Sequence, residues 1–383
     1  MKISIIGSTK DGYCLTKEDA MLFSGKAAGI CYMPESLQNL INEDKSKTEK
    51  RVNRTLISGH HSVFDHPVYN ISLENIPKIL AIILNNEKIY TTSEKSARYT
   101  KMILTGKEKE LYEKWIEIYK NEIFRKYPNI DEKQILKLAQ ENARYLISIF
   151  TPSTTMEYSV SLRQLNYIMN WFEDFINFAE NTDFNKLLKP FLVQFNEELN
   201  FLKIDNLDTK VKNRTFSLFD NRVNRKEEYG ENYCTTYFGT FAQFAQAQRH
   251  RTIDYKITLL DEKKFYIPLI ISENKELVKD WLKDLNELSA NFPQGMLVKI
   301  NERGTVENFI LKTKERLCGC SQLEIMLQTK EILNKYIENT KNSNIAVYEF
   351  LREYESGIRC KYKGWKCITP CVWGPNKALI RKI

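Results

Sequence analysis

The chain has 383 residues, a formal net charge of +8 and eight cysteines. A length of this order predicts two domains, at about 100–200 residues each. The composition, 42% hydrophobic and 28% charged residues, is typical of a folded protein and excludes fibrous and disordered classes. Lys and Arg are dispersed among 49 acidic residues, which favours a solvated surface or an anionic small substrate over nucleic-acid binding.

Neither the first residues of the chain nor its longest apolar run indicates an export signal or a membrane span. The segment Met1 to Gly12 lacks the apolar core and cleavage site of a signal peptide. The longest aliphatic run, Ile79 to Leu84, is far shorter than the ~20 residues that cross a bilayer. We therefore expect a cytoplasmic protein with no membrane partner, whose cysteines do not form structural disulfides.

The apolar spacing along the chain predicts mixed α and β structure. Helical spacing covers Lys107–Lys126, Asp131–Ile149 and Leu162–Phe178, whereas Tyr69–Leu73 alternates like a strand. A weak internal repeat relates the two halves. In the first half, Tyr69–Leu73 leads into a helix-like segment, Ile79–Asn86, and then TTSEKSARYTK. The second half has TTYFGTFAQFAQAQRHRTIDYK, where the helix-like segment ends in Arg249, His250 and Arg251. The repeat indicates a domain duplication, with domains at residues 1–200 and 201–383.

Two clusters of residues are candidates for ligand binding. Arg249, His250 and Arg251 follow an apolar, amide-rich segment and suit a phosphate or an electron-rich heterocycle, although such triplets are usually solvated surface. Three of the four histidines lie in the segment HHSVFDH from His60 to His66. That segment is interpreted as a loop that contacts a ligand, with a metal site including Asp65 or structural capping as the alternatives.

Together these segments resemble the flavin-dependent thymidylate synthase family. That family has an R-H-R-x-x-S-x-x-x-x-S-x-R signature, a preceding G-H-x-S-x-x-E-H segment, an E-x-A-R element and an N-x-R-S-L helix. Similar stretches here are Ser58 to His66, Glu94 to Arg98, Glu141 to Arg144 and Ser161 to Leu165 in the first half, and Arg249 to Arg251 with Glu315 to Ile325 in the second. The resemblance implies an α+β fold of two tandem domains, each a mostly antiparallel sheet with packed helices.

Each half departs from the family pattern where the other half keeps it. Asn86, Glu87 and Lys88 stand where the family has Arg-His-Arg, and Asp254, Leu259 and Asp261 stand where the second half should have Ser, Ser and Arg. Because family sites are assembled across subunits, these complementary losses imply one shared site and a homodimer of fused chains in place of a homotetramer.

The resemblance implies transfer of a one-carbon unit from methylenetetrahydrofolate to the 5-carbon of dUMP, with FAD as hydride source and NADPH as reductant. It assigns catalytic roles to Arg249, His250 and Arg316, of which Arg316 polarises the uracil ring. The implied flavin ligands are Ser62, Glu94, Ser161, Arg163, Arg249, His250 and Arg251. The implied nucleotide ligands are Glu94, Ser96, Ala97, Arg98, Arg144, Gln246, Ala247, Gln248, Arg249 and Arg316.

Two alternative functions stay open. A flavin enzyme that makes another 5-substituted pyrimidine nucleotide is the first, and only the products separate it from a thymidylate synthase. A non-catalytic nucleotide-binding descendant is the second, indicated by Asp254 and Tyr167, which depart from the family pattern. Cys318, Cys360, Cys367 and Cys371 could form a four-thiolate zinc or iron–sulfur site, although their spacing is not the common paired CxxC and buried free thiols are the alternative.

Overall fold

The computed structural model describes residues 1–8, 16–30, 39–40, 42–58, 61–87, 89–95, 104–207, 232–365, 367 and 371–383. Contacts divide the chain into two compact units, each made of two segments: residues 1–95 with 150–216, and residues 96–149 with 217–383. Unit 1 contains β1 (Lys2–Ser8), α1 (Lys17–Ile30), α2 (Lys45–Ile57), β2 (Val68–Pro77), α3 (Lys78–Leu84), β3 (Thr91–Glu94), β4 (Pro152–Ser161), α6 (Leu162–Phe178) and α7 (Asp183–Leu199). Unit 2 contains α4 (Gly106–Lys126), α5 (Glu132–Ala143), β5 (Asn232–Thr240), α8 (Phe241–Ala247), β6 (Asp254–Thr258), α9 (Lys275–Glu287), β7 (Leu297–Thr305), α10 (Val306–Arg316), α11 (Leu323–Thr340), α12 (Ile345–Arg352) and α13 (Gly374–Lys377).

Each unit is built on its own antiparallel sheet. The strand order is β1-β2-β4-β3 in unit 1 and β5-β7-β6 in unit 2. Tyr69, Ile71 and Leu73 alternate along β2 and are fully buried, because successive side chains of a strand point to opposite faces. The expected α+β fold with antiparallel sheets and packed helices is confirmed.

The two sheets repeat one topology. In unit 1, β2 runs directly into α3, β4 runs directly into α6, and β4 lies between β2 and β3. In unit 2, β5 runs directly into α8, β7 runs directly into α10, and β7 lies between β5 and β6. This shared order is what a duplicated domain would give, and the duplication itself, with its boundary near residue 200, stays a prediction.

Helices α4 and α5 precede β4 in sequence but pack within unit 2. The indole of Trp115 in α4 lies edge-on to that of Trp281 in α9, with ring centroids 4.7 Å apart. Trp115 also donates a hydrogen bond of 2.8 Å to Asp284. Aromatic pairs of this geometry stabilise the packed core beyond the contribution of their buried area. The division into compact units therefore follows side-chain packing, which sequence periodicity does not specify.

The helices and the strand expected from apolar spacing are present, with one end misplaced. Helix α4 and helix α6 confirm two of the predicted helices, and the strand expected at Tyr69–Leu73 lies inside β2. The helix expected to reach Ile149 instead ends at Ala143. Beyond it the backbone of Ile147 and Ile149 pairs with residues 292–294, which removes those groups from the helical pattern. Among the described residues, no helix combines the length and apolar character of a membrane span.

Candidate functional site

The Arg-His-Arg triplet lies in a turn between α8 and β6. Helix α8 begins at an N-cap, Thr240, whose hydroxyl accepts a hydrogen bond from the Gln243 amide. The sequence placed the triplet at the end of this helix, but the helix ends at Ala247 because its carbonyl accepts hydrogen bonds from the His250 amide, at 3.0 Å, and from the Tyr255 hydroxyl, at 2.7 Å. The turn leaves Arg249 and Arg251 exposed and His250 partly buried.

Arg316, the last residue of α10, contacts the imidazole of the triplet. Its Nε donates a hydrogen bond of 2.7 Å to Nε2 of His250. Burial, and then the nearby cations Arg316, Lys312 and Arg249, lower the pKa of His250 to about 2. The imidazole is therefore neutral near physiological pH, accepts at Nε2 and carries its proton on Nδ1. The structure thus brings three predicted residues, Arg249, His250 and Arg316, to one place.

A second cluster in unit 2 brings together Arg144 and Gln246 through Gln322. Both side chains donate to the amide oxygen of Gln322, and the Gln322 amide nitrogen donates to the Tyr145 hydroxyl. Tyr145 in turn donates a hydrogen bond of 2.8 Å to Glu324. Since Arg144 carries only donors, the atom of Gln322 that faces it must be oxygen. The orientation of each amide in the cluster follows from that.

Glu324 closes the cluster on the side of β5. Its carboxylate accepts from the backbone amide of Thr240 at 2.9 Å and from the Thr240 hydroxyl at 2.8 Å. Burial raises the pKa of Glu324, and these hydrogen bonds with the nearby Arg144 guanidinium oppose that rise. The start of α8 and the start of α11 are therefore tied together at the point where the predicted nucleotide ligands meet.

Two glutamines of α8 and its C-cap retain polar atoms that could meet a ligand. Gln248 is 3% exposed, and within the described part of the chain neither atom of its amide has a hydrogen-bond partner. The amide oxygen of Gln246 is likewise buried without a partner among the described residues. Leaving such groups unsatisfied costs about 1–3 kcal/mol each. A heterocycle with alternating donors and acceptors, such as a flavin or a uracil, fits these atoms.

Predicted flavin ligands in unit 1 are engaged with other side chains there. Lys78 and Glu94 form an ion pair of 2.5 Å, and Thr154 donates a hydrogen bond of 3.1 Å to the same carboxylate. Arg163 is buried, and its Nη1 lies 2.8 Å from a carboxylate oxygen of Asp65. The Asp65 carboxylate also accepts a hydrogen bond of 2.9 Å from the hydroxyl of Ser161, which is the N-cap of α6.

The histidine segment is partly structural. His61 is buried, with its Nε2 3.0 Å from the carbonyl oxygen of Leu56, whereas Ser62 and His66 are exposed. Asp65 is engaged with Arg163 and Ser161 as described above. His60, like Lys88 and the predicted nucleotide ligands Ser96, Ala97 and Arg98, lies outside the described residues.

The predicted metal ligands lie around the turn that follows α10. The Cys320 backbone amide donates a hydrogen bond of 3.4 Å to Sγ of Cys318. The Cys320 thiol is the main cause that lowers the pKa of Cys318 to about 6, while burial opposes it and Arg359 adds to the lowering. Burial, with the nearby Cys318, Cys367 and Cys371, raises the pKa of Cys360. Among the described residues no three metal-ligating side chains are grouped as a metal site, so the four-thiolate site stays a prediction.

Sequence reasoning gave no role to three residues of the Gln322 cluster. Gln322 and Glu324 lie in the Glu315 to Ile325 stretch that suggested the family, and that motif was the signal that could have found them. Tyr145 follows Arg144 directly, so it could have been included with the E-x-A-R element. Their side chains meet because the turn after α5 and the start of α11 lie in the same unit.

Residues 16–172 match the family model Thy1, thymidylate synthase complementing protein. No curated protein matches the chain. Similar solved structures include the UMP/dUMP methylase PolB from Streptomyces cacaoi bound with 5-Br dUMP, at 14% identity over 44% of this chain and 76% of that one, with a TM-score of 0.31.

The flavin-dependent thymidylate synthase ThyX from Helicobacter pylori, complexed with FAD and dUMP, is also similar in two crystal structures. One is 17% identical with a TM-score of 0.33, and the other is 18% identical with a TM-score of 0.32. Each comparison covers 54% of this chain and 100% of the ThyX chain. The family model that matches residues 16–172 agrees with the resemblance inferred from the sequence.

Proposed function

We propose that this chain is an FAD-dependent enzyme that transfers a one-carbon unit from methylenetetrahydrofolate to the 5-carbon of dUMP, with NADPH as reductant. The observation that carries the proposal is the Arg316–His250 hydrogen bond at the Arg-His-Arg turn. The family model over residues 16–172 supports the same class of reaction.

Arg316 supplies a permanent positive charge for the uracil ring. A guanidinium stays ionised at all physiological pH values, so it can stabilise negative charge that develops on a ring oxygen. His250 is neutral near physiological pH, so its role is to accept from Arg316 Nε and thereby orient the guanidinium. Proton donation by His250 is excluded near neutral pH, because its pKa is about 2.

Arg144 and Gln246 are the proposed nucleotide ligands of unit 2. Arg144 is buried and its guanidinium is oriented by Gln322, so little side-chain entropy is lost when an anion binds. The Gln246 amide nitrogen is occupied by Gln322, which leaves its oxygen as an acceptor for a donor on the ligand. Arg249, exposed in the adjacent turn, adds positive potential for the phosphate.

Arg249, His250 and Arg251 are the proposed flavin ligands of unit 2. Gln248 stays a proposed nucleotide ligand, because its buried amide offers a donor and an acceptor that fit the polar edge of a uracil ring. Bound reduced flavin supplies the hydride for the reaction. Ser62, Glu94, Ser161 and Arg163 remain proposed flavin ligands on the sequence resemblance, as do Ser96, Ala97 and Arg98 for the nucleotide.

The test combines flavin binding with turnover. Purified protein should be yellow, and it should release tritium from the 5-position of labelled dUMP in the presence of methylenetetrahydrofolate and NADPH. Arg249→Ala and His250→Ala should each lower turnover by about 10²-fold or more. Arg352→Ala, which removes an exposed arginine of α12, is the matched control and should keep full activity.

The outcomes separate the alternatives. Flavin retention with a different 5-substituted product identifies another pyrimidine-modifying enzyme. Failure to retain flavin, with dUMP binding intact, identifies a non-catalytic descendant. Full turnover in both Arg249→Ala and His250→Ala removes the triplet from the site.

We also propose the homodimer that the complementary sequence losses imply. The repeated strand order of the two units supports the underlying duplication. Light scattering with flavin titration should give two chains per particle and one flavin per chain. Two flavins per chain, or a fully active monomer, would contradict this assembly.

A further inference from the structure

A fully buried ion pair lies next to the Arg316–His250 contact. Lys312 of α10 and Glu302 of β7 are both 0% exposed, and Lys312 Nζ lies 2.7 Å from each carboxylate oxygen of Glu302. Tyr233 donates to one of these oxygens, and Tyr237 donates to the other at 3.3 Å. Each oxygen of the carboxylate therefore has two donors.

Stability alone does not account for this ion pair. Moving two charges out of water costs several kcal/mol per ion, and well-packed apolar residues of similar volume are often as stabilising. The neighbours of Glu302 on the same face of β7, Val298 and Ile300, are apolar and fully buried. A requirement other than core stability, such as fixing one geometry, would explain charged residues here.

The pair fixes the helix that carries Arg316. Lys312 and Arg316 are four residues apart in α10, about one turn, and so lie on the same face. On that side of the helix the Phe309 ring stacks on Tyr233, with centroids 4.4 Å apart. The Lys312–Glu302 bonds therefore tie α10 to β7 one turn before Arg316 reaches His250.

We propose that Lys312 and Glu302 are positioning residues for the Arg316–His250 contact. They hold the axial rotation of α10, so that the Arg316 guanidinium meets His250 in one orientation. The contribution to catalysis rests on the function proposed above, whereas the positioning itself concerns only the described side chains of unit 2. The Lys312 charge also helps to lower the pKa of His250, together with Arg316 and Arg249.

The test replaces both charges at nearly constant volume. Glu302→Gln combined with Lys312→Met keeps an acceptor for the tyrosines and leaves no unpaired buried charge. The readouts are nuclear magnetic resonance signals of the Arg316 Nε–H and of the His250 ring nitrogens. With four histidines in the chain, His250→Gln assigns the second signal. Hydrogen exchange at Arg316 Nε should become about tenfold faster, as for loss of one hydrogen bond, and the pKa of His250 should rise.

Lys314→Met is the matched control. It also removes one lysine from α10, but the Lys314 ammonium lies 5.3 Å from the Tyr354 ring centroid, away from Glu302. The Arg316 and His250 signals should not change in this variant. In the active protein the double variant should lose kcat with little change in KM for dUMP, since a misplaced Arg316 acts on the transition state.

A second variant keeps the test decisive if the double variant does not fold. Glu302→Gln alone changes almost no volume, and because burial lowers the pKa of Lys312, the amine becomes neutral once its carboxylate partner is lost, so no buried charge stays unpaired. This variant should give the same faster exchange at Arg316 Nε. Slow exchange retained at Arg316 Nε in a folded variant would overturn the proposal. These signals are independent of turnover, so absence of thymidylate synthase activity would reject the proposed function and leave the positioning result standing.

Discussion

Arg316 Nε donates a hydrogen bond of 2.7 Å to Nε2 of His250, so a permanently charged guanidinium is bonded to a neutral imidazole. The two residues are 66 positions apart in the chain and meet because α10 ends beside the turn that follows α8. In this contact Arg316 supplies the positive charge and His250 orients the guanidinium. Changes to the contact should alter the stability of the protein as well as its activity.

Stability should fall on acidification through His250. The native pKa is lowered to about 2 from the ordinary value of 6.5, so between these values the unfolded chain binds a proton that the native protein does not. Stability is therefore lost as pH falls below the unfolded value, by about 2 kcal/mol from about pH 7 to about pH 5. Urea unfolding at several pH values measures this loss, and His250→Gln should remove it.

His66→Asn is the control for that experiment. His66 is exposed, and its replacement leaves the Arg316–His250 contact in place, so the loss of stability assigned to His250 should remain. An unchanged acid slope in His250→Gln would show that His250 can be protonated in the native state.

Gln322→Leu should destabilise the protein by about 1.5–3 kcal/mol, because it removes a hydrogen bond to a buried charged group. The Arg144 guanidinium and the Gln246 amide would both lose their shared acceptor. Affinity for dUMP, measured by calorimetry, should fall with stability. Gln134→Leu is the control: the backbone amide of Gln134 donates to Asp131 at the start of α5, and loss of the side-chain amide should change neither quantity. Wild-type dUMP affinity in Gln322→Leu would separate the cluster from the nucleotide site.

Gly295→Ala should destabilise the same cluster through sterics. An added Cβ would lie 2.8 Å from Cβ of Tyr145 and 3.0 Å from its carbonyl oxygen, which accepts a hydrogen bond of 2.7 Å from the Gly295 amide. Because the backbone must shift, we expect a loss of about 1–3 kcal/mol. Gly304→Ala is the control, since its nearest contact would be 3.4 Å. Equal unfolding midpoints for the two variants would contradict this expectation.

Cys318 should titrate as a thiolate near its lowered pKa of about 6. The far-ultraviolet absorbance of the thiolate reports the transition. Because the Cys320 thiol is the largest cause of the lowering, Cys320→Ala should move the midpoint upward. Cys234→Ala, which changes an exposed cysteine of β5, should leave the Cys318 midpoint in place. If Cys318 in the original protein titrates near the ordinary thiol value of about 8.5, the Cys320 thiol does not donate a hydrogen bond to the Cys318 thiolate.

Patterns of neighbouring residues were enough to predict several helices and strands and the chemistry of the triplet. Apolar spacing is a property of neighbouring residues, which is why α4, α6 and β2 agree with it. The Arg-His-Arg residues and the family were readable because they are contiguous motifs. The same local signal misplaced the end of α5, since the backbone of Ile147 and Ile149 pairs with a segment far along the chain.

Which of these residues contact one another depends on how the helices and strands pack. Arg144 shares Gln322 with Gln246, Arg316 reaches His250, and Lys312 reaches Glu302, in each case through contacts between separate elements of unit 2. Sequence separation carries no information about such contacts, because burial and hydrogen-bond satisfaction depend on how helices and strands pack. The neutral state of His250 follows for the same reason: burial and surrounding cations, not the residue type, set its charge.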